Sequence, residues 1–291
     1  MIMLFKLRLL IFTLAFACIL LFFSFTPSGS SVPETNCKDI IEKMIKGINT
    51  VQRLKYNLKI VERTDKKFNN FASSVKLNRK PRQLYLATNG IEVLWTEGTN
   101  KGQALVKPNS FPYFNLNLDP NGSLMRDGQH HTINEMGFDY FGNIIEHIVS
   151  KYADKLDQVF KLEGEEVVNN RPCYKITITN SDFKFYDYKV AKGEDLISIA
   201  RKLYVSEYMI LERNDAKVDD YTDVKEGQII KVPGAYAKNV SLYIDKLYFL
   251  PVGSRIYDDI GLYEQYDYFF VQVNPKFEEN EFTKDFKGYG F

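Results

Sequence analysis

Apolar residues near the start of the folding chain recur at helical spacing. Ile40, Ile41, Met44, Ile45 and Ile48 share one face and predict a helix ending near Gly47 to Asn49. The period then falls to two. Leu54, Tyr56, Leu58 and Ile60 alternate with Lys55, Asn57 and Lys59, the pattern of a strand with one buried face. Further short strands are predicted at 75–77, 83–87, 91–96, 103–107 and 113–118, separated by turn signals such as Lys80-Pro81, Asn89-Gly90 and Asp119-Pro120-Asn121-Gly122. Spacing this even predicts an antiparallel meander. A second helix, over 137–152, follows a capping box of Thr132 and Glu135, and Met136, Tyr140, Phe141, Ile144, Ile145, Ile148 and Val149 supply a wide apolar face. Strands resume at 159–168 and 173–179, and again at 240–249, 253–257 and 262–271, before an irregular tail from Asn274.

Between those two groups of strands, Tyr188 to Pro233 follows a pattern of its own. A short strand with Val190 buried passes through a turn at Gly193 into a helix whose Leu196, Ile199, Ala200 and Leu203 form one apolar stripe. Ser206 can cap a second helix with Met209 and Ile210 on its buried side, and Gln228 to Val232 alternates as a closing strand. The order is βααβ. Its two strands pair and bring the ends together, so the unit fits as an insertion at a hairpin tip of the larger sheet.

The residues of this insert, Gly193-Glu194-x-Leu196, Ile199-Ala200 followed by Tyr204, Asn214 and Gly227-Gln228-x-Ile230-x-Val232-Pro233, resemble a LysM module. That resemblance implies binding of glycans containing N-acetylglucosamine, in bacteria usually peptidoglycan. It also implies a shallow groove, with Gly193, Glu194, Asp195 and Leu196 on one wall and Gln228, Ile229 and Ile230 on the other. Backbone groups would do much of the hydrogen bonding there, since neutral sugars need fixed donors and acceptors more than charge. Asn214 serves either that groove or only a turn. Two features depart from the family pattern: Asp195 stands where Thr is usual, and the run from Asn214 to Gly227 is a few residues longer.

The flanking sequence carries Asn115-Leu116-x-Leu118-Asp119-Pro120, Gln129-His130-His131-Thr132-Ile133 and Gly137-Phe138-Asp139-Tyr140, and resembles a bacterial domain family of unknown function. The later Asp245-Lys246, Leu250-Pro251, Tyr266-x-Tyr268 and Phe282-Thr283-x-Asp285 are similar to LolA-like periplasmic carriers. The implied fold class is α+β: a curved antiparallel sheet, a half-open barrel, with covering helices and the inserted βααβ module. The implied cargo is a lipid or the acyl chains of a lipoprotein. The resulting division is 1–26 as signal peptide or N-terminal anchor, 27–36 as linker, 37–185 and 236–291 as the two parts of the LolA-like domain, and 186–235 as LysM.

Composition narrows the picture. The 291 residues are 45% hydrophobic and 26% charged, with a net charge of +1, an ordinary globular balance with no basic, aromatic-interleaved surface for nucleic acid. With 22 Phe and 19 Tyr, the material suffices either to fill a core or to line a cavity beneath the second helix. Lys6 and Arg8 precede an apolar run from Leu9 to Phe23, which reads as an export signal or a retained anchor. Export places the protein in the periplasm or cell envelope. Cys18 after Ala17 sits in a weak lipidation context. The remaining cysteines, Cys37 and Cys173, are a disulfide candidate that would contribute about 4–5 kcal/mol on the chain-entropy model, or else two buried thiols.

Chemistry is sparse. His131, Glu135 and Asp139 fall at i, i+4 and i+8, one face of a helix that starts early enough, and with His130 they are the available candidates for a metal or acid–base site. No nucleophile elbow, zinc-protease motif or phosphate-binding glycine loop occurs. The sequence points to a non-enzymatic binding protein without a cofactor. A LysM-targeted cell-wall hydrolase using His130 or His131, and a protein-interaction scaffold, are the alternatives.

Overall fold

The computed structural model describes residues 36–291. The signal or anchor segment, Cys18 and all but the last residue of the 27–36 linker lie outside the described residues. Helix α1 (Cys37–Thr50) is capped by Asn36, whose side chain accepts from the Asp39 amide at 2.8 Å. There follow strands β1 (Arg53–Thr64), β2 (Lys67–Asn78), β3 (Gln83–Thr88), β4 (Ile91–Thr96), β5 (Ala104–Lys107) and β6 (Leu116–Leu118). Short α2 (Ser123–Arg126), α3 (Asp139–Lys151) and short α4 (Leu156–Val159) come next, then β7 (Phe160–Val168) and β8 (Arg171–Thr179). The insert contributes β9 (Phe185–Lys189), α5 (Leu196–Leu203), α6 (Glu207–Arg213) and β10 (Ile229–Pro233). Strands β11 (Asn239–Asp245), β12 (Pro251–Tyr257) and β13 (Leu262–Val273) complete the chain.

Eleven strands form one open, curved antiparallel sheet in the order β6-β5-β4-β3-β2-β1-β13-β12-β11-β8-β7, while β9 and β10 pair only with each other. The chain therefore leaves the sheet after β8 and rejoins it beside β8 as β11, where Thr179 faces Asn239. Period-two alternation explains the sheet: Leu54, Tyr56, Leu58 and Ile60 are buried and Lys55, Asn57 and Lys59 exposed. Ile40, Ile41, Met44 and Ile48 of α1 and Ile144, Ile145 and Ile148 of α3 cover that buried face in a single core. Asn89-Gly90, a turn predicted from sequence, and Asn169-Asn170 adopt positive φ in tight hairpin turns. None of the described helices is long and apolar enough to cross a membrane.

Several expectations need correction. The first hairpin runs far past the predicted 54–60 and 75–77, because β1 and β2 stay paired out to Thr64 and Lys67. The polar start of β2 hides it from a hydrophobicity reading. The predicted strand 113–118 shortens to Leu116–Leu118, Tyr113 having a φ of 53°. The second helix does not start early: Ile133–Glu135 is one 3-10 turn, and Gly137, with φ +97°, breaks the chain before α3 begins. Its φ is one that L side chains rarely adopt, and a Cβ there would in addition push against the Leu77 Cδ2 methyl at 2.7 Å. Cys37 and Cys173 are both free thiols. Cys37 lies beside Phe160 at one end of β7, and Cys173 pairs with Glu166 six residues along that strand. At about 3.3 Å per residue the separation is on the order of 20 Å, beyond the reach of a disulfide.

Candidate functional site

The insert is built around its own small core of Val190, Leu196, Ile199, Ala200, Ile210, Ile230 and Val232. Asp195 caps α5 reciprocally: its carboxylate accepts from the Ser198 amide at 2.7 Å, and its own amide donates to Ser198 Oγ at 2.9 Å. Asn214 ties α6 to β10, donating to the carbonyls of Ile210 (2.7 Å) and Lys231 (2.8 Å) and accepting from the Lys231 amide (2.8 Å). Gly193 (φ +79°) and Gly227 (φ +83°) shape the two turns of the rim. The turns are held together at Val190, whose amide donates to the Gln228 carbonyl at 2.9 Å and whose carbonyl accepts from Gly227 at 2.8 Å. Gly193 and Ile229 are exposed on this rim, Ile229 at 48%.

The other side of the insert is bound to the sheet. Arg126, from α2, is buried against Glu207 of α6 at 3.0 Å and lies 3.7 Å over the Tyr221 ring. Arg201 of α5 bonds the Glu135 carboxylate. Ser206 and Tyr263 share a hydrogen bond of 2.8 Å, and Tyr208 accepts from the Asp65 amide at 3.0 Å. His147 of α3 stacks on Tyr204, centroids 4.1 Å apart. Buried ionic contacts of this kind hold only when each charge keeps its partner.

Behind Glu135 the network continues into the sheet domain. His131 Nδ1 lies 2.7 Å from Glu135, and its Nε2 lies 2.9 Å from the Tyr236 hydroxyl and 3.3 Å from Glu264. Fully buried His130 is stacked between Tyr208 and Tyr263, with Nδ1 2.9 Å from Glu264 and Nε2 2.8 Å from the Arg63 carbonyl. That carbonyl can only accept, so His130 Nε2 carries a proton. Burial pulls the His131 pKa down, but Glu264 and Glu135 more than reverse this and hold it well above the ordinary imidazole value. Burial likewise raises Glu264, and His131 and His130 overcome it, leaving that carboxyl at about 2. For Glu207, burial and the charge of Glu135 prevail over Arg201, and its pKa is raised.

His131, Glu135 and Glu264 form the polar end of a hollow beneath α3, whose apolar end includes Leu58, Ile60, Phe138, Phe141 and Ile144. Its volume is about 80 Å³. Drug-sized ligand pockets occupy roughly 300–1,000 Å³, so the space as it stands suits one short apolar group.

Residues 188–233 match the LysM domain family. The insert is a LysM domain. Residues 51–192 match the family described as protein of unknown function (DUF1571), which reaches from just before β1 to the first residues of the LysM domain. None of the curated proteins matches the chain significantly. Among solved structures the chain is similar to MucB, at 9% identity and a TM-score of 0.42, covering 84% of this chain and 62% of that one. It is also similar to MucB in the Pseudomonas aeruginosa MucA/MucB complex, at 12% identity and 0.39, covering 85% and 60%. A third likeness is to a LolA superfamily protein from Nitrosomonas europaea, at 11% identity and 0.33, covering 86% and 99%. The chain thus spans about three fifths of the MucB chains.

Of the residues assigned to the LysM groove, Gly193, Glu194 and Asp195 share the rim with Gln228 and Ile229. Leu196 and Ile230 do not line it; at 0% and 1% exposure they belong to the domain core. The Glu194 carboxylate is engaged by Lys202 (2.8 Å), the Ala191 amide (2.9 Å) and Tyr188, which hold it at about 2. It braces the turn. His131 and Glu135 do meet, but Asp139 turns away to Arg79 (2.6 Å) and Arg82 (3.3 Å), because Gly137 interrupts the helix that would have aligned the three. His130, with both nitrogens engaged and no exposure, cannot reach a substrate. Among the described residues no cluster of His, Cys, Asp and Glu is arranged to hold a metal ion. Glu264, Tyr236 and Glu62 were not singled out from sequence. The only available signal was a glutamate in an otherwise aromatic strand, Tyr263-Glu264-Gln265-Tyr266.

Proposed function

We propose that this chain is a non-enzymatic cell-envelope protein that grips peptidoglycan through the rim of its LysM domain. In the same reading, the sheet domain accepts a short apolar group of a lipid or a lipoprotein acyl chain in the hollow under α3. The organisation is 37–185 and 236–291 as one sheet domain, interrupted by 186–235, with export directed by the apolar segment at 1–26. The observation that carries the reading is the division of the LysM surface. Its charged α5–α6 face is consumed by contacts with the sheet domain, while Gly193 and Ile229 of the rim are exposed and Asp195 and Gln228 partly so, leaving backbone groups and the Ile229 side chain for a neutral sugar. The coupling of the two parts lets the envelope position be set by one and the cargo by the other.

The test is co-sedimentation of the full chain with purified peptidoglycan. Ile229→Glu, on an exposed side chain, is expected to weaken retention about tenfold, or about 1.4 kcal/mol, with unchanged thermal stability. Undiminished retention of the variant would remove the rim as the glycan site.

A further inference from the structure

The hollow under α3 has a charge pattern that selects among amphiphiles. Among the described residues three carboxylates line it, Glu62, Glu135 and Glu264, with one histidine, His131, and no lysine or arginine. His131 offers no free cation to a ligand, because Glu135 and the Tyr236–Glu264 pair occupy its two nitrogens. Arg201 lies behind Glu135, on the LysM side, and does not line the space. An anionic head placed here would meet net negative charge at low dielectric without a cation to pair with.

Uncharged hydrogen-bonding capacity remains. Gln129 and Ser254 also line the hollow and carry uncharged polar groups. Glu135 and Glu264, both held below the ordinary carboxylate range, keep the wall charged at neutral pH. The opposite end, with Leu58, Ile60, Phe141 and Ile144, offers only apolar contacts.

We infer that the hollow takes the end of a single alkyl chain carrying a neutral or cationic polar head and rejects chains with a carboxylate or phosphate head. This inference rests on the reading of the hollow as the apolar-group site. It adds the head-group rule, which the placement of Glu62, Glu135 and Glu264 supplies. An acyl chain joined through an ester or amide satisfies the rule, whereas a free fatty acid does not.

Titration calorimetry of the full chain at pH 7 with 1-decanol, decylammonium and decanoate separates the outcomes. The alcohol and the ammonium are expected to bind at least tenfold more tightly than decanoate, and Glu62→Gln is expected to narrow that gap severalfold. Decanoate binding as tightly as decanol would overturn the head-group rule while leaving the hollow as a site. Binding by none of the three would overturn both. Met136→Trp, which fills the hollow, is expected to abolish decanol binding, and Phe141→Trp serves if that variant fails to fold; binding retained in a folded filling variant would place the ligand elsewhere and overturn the inference.

Discussion

The two faces of the LysM domain make opposite use of their polar residues. On the α5–α6 face, Arg201, Ser206, Glu207 and Tyr208 are spent on the sheet domain, and Glu207 is fully buried. On the rim, Asp195, Glu194 and the Gln228 side-chain oxygen are spent on the domain's own turns, and Gly193, Gly227 and Ile229 are exposed beside Lys192, Lys225 and Glu226. The difference shows that charge in this domain serves attachment and shape. It also makes the LysM domain one compact unit with the sheet domain.

The seam therefore breaks with the largest effect. Replacing Glu264 with Leu leaves His130, His131 and Tyr236 without their shared acceptor and is expected to cost about 3–5 kcal/mol, read by urea denaturation. Loss of the LysM domain's circular-dichroism signal in the same transition would confirm that the two parts unfold together. Arg126→Ala, which strands Glu207, is expected to follow closely.

Acidity probes the same seam less severely. Glu264 falls from 4.5 to about 2 on folding, so the stability it contributes is complete above about pH 4.5 and is lost as pH drops toward 2. His131, raised above 6.5, contributes stability that is complete below pH 6.5 and is lost as pH rises through its folded value. Glu207, raised by burial, works against stability above its unfolded value of 4.5. Melting temperature against pH should thus fall on the acid side between about 4.5 and 2, and the Glu264→Leu variant should show a shallower fall, the remainder coming from carboxylates such as Glu135 and Glu194 that are also held low.

Within the LysM domain, Asn214→Ala removes two hydrogen bonds between the end of α6 and Lys231 of β10, and a third to the Ile210 carbonyl of α6 itself, and is expected to cost about 2–3 kcal/mol, with hydrogen exchange accelerated at Lys231. The smallest effect on stability belongs to Ile229→Glu, which changes only glycan retention.

Much of this was legible from the sequence. The alternation of β1, the aliphatic stripes of α1 and α3, and the βααβ order of the insert follow directly from hydrophobic period, since each element buries one face. What was not legible depends on contacts distant in sequence. The outer end of the first hairpin is polar although Glu62, Arg63 and Thr64 of β1 are buried, because it packs against His130 and the LysM domain, and it is fixed by pairing and by Asp65 meeting Tyr208 across the seam. His131, Glu135 and Asp139 fall on one helical face only if the helix is continuous, and nothing local reveals that Gly137 takes φ +97° and separates the 3-10 turn from α3. Leu196 and Ile230 were assigned to the groove by family position, yet burial puts them inside.

The most direct test of the two-faced account is hydrogen–deuterium exchange of the full chain with and without a soluble N-acetylglucosamine oligomer. The account predicts slowed exchange at 191–195 and 227–230, with residues 126–136 and 201–208 unchanged. Protection confined to the seam, or absent from the rim at saturating oligomer, would contradict it.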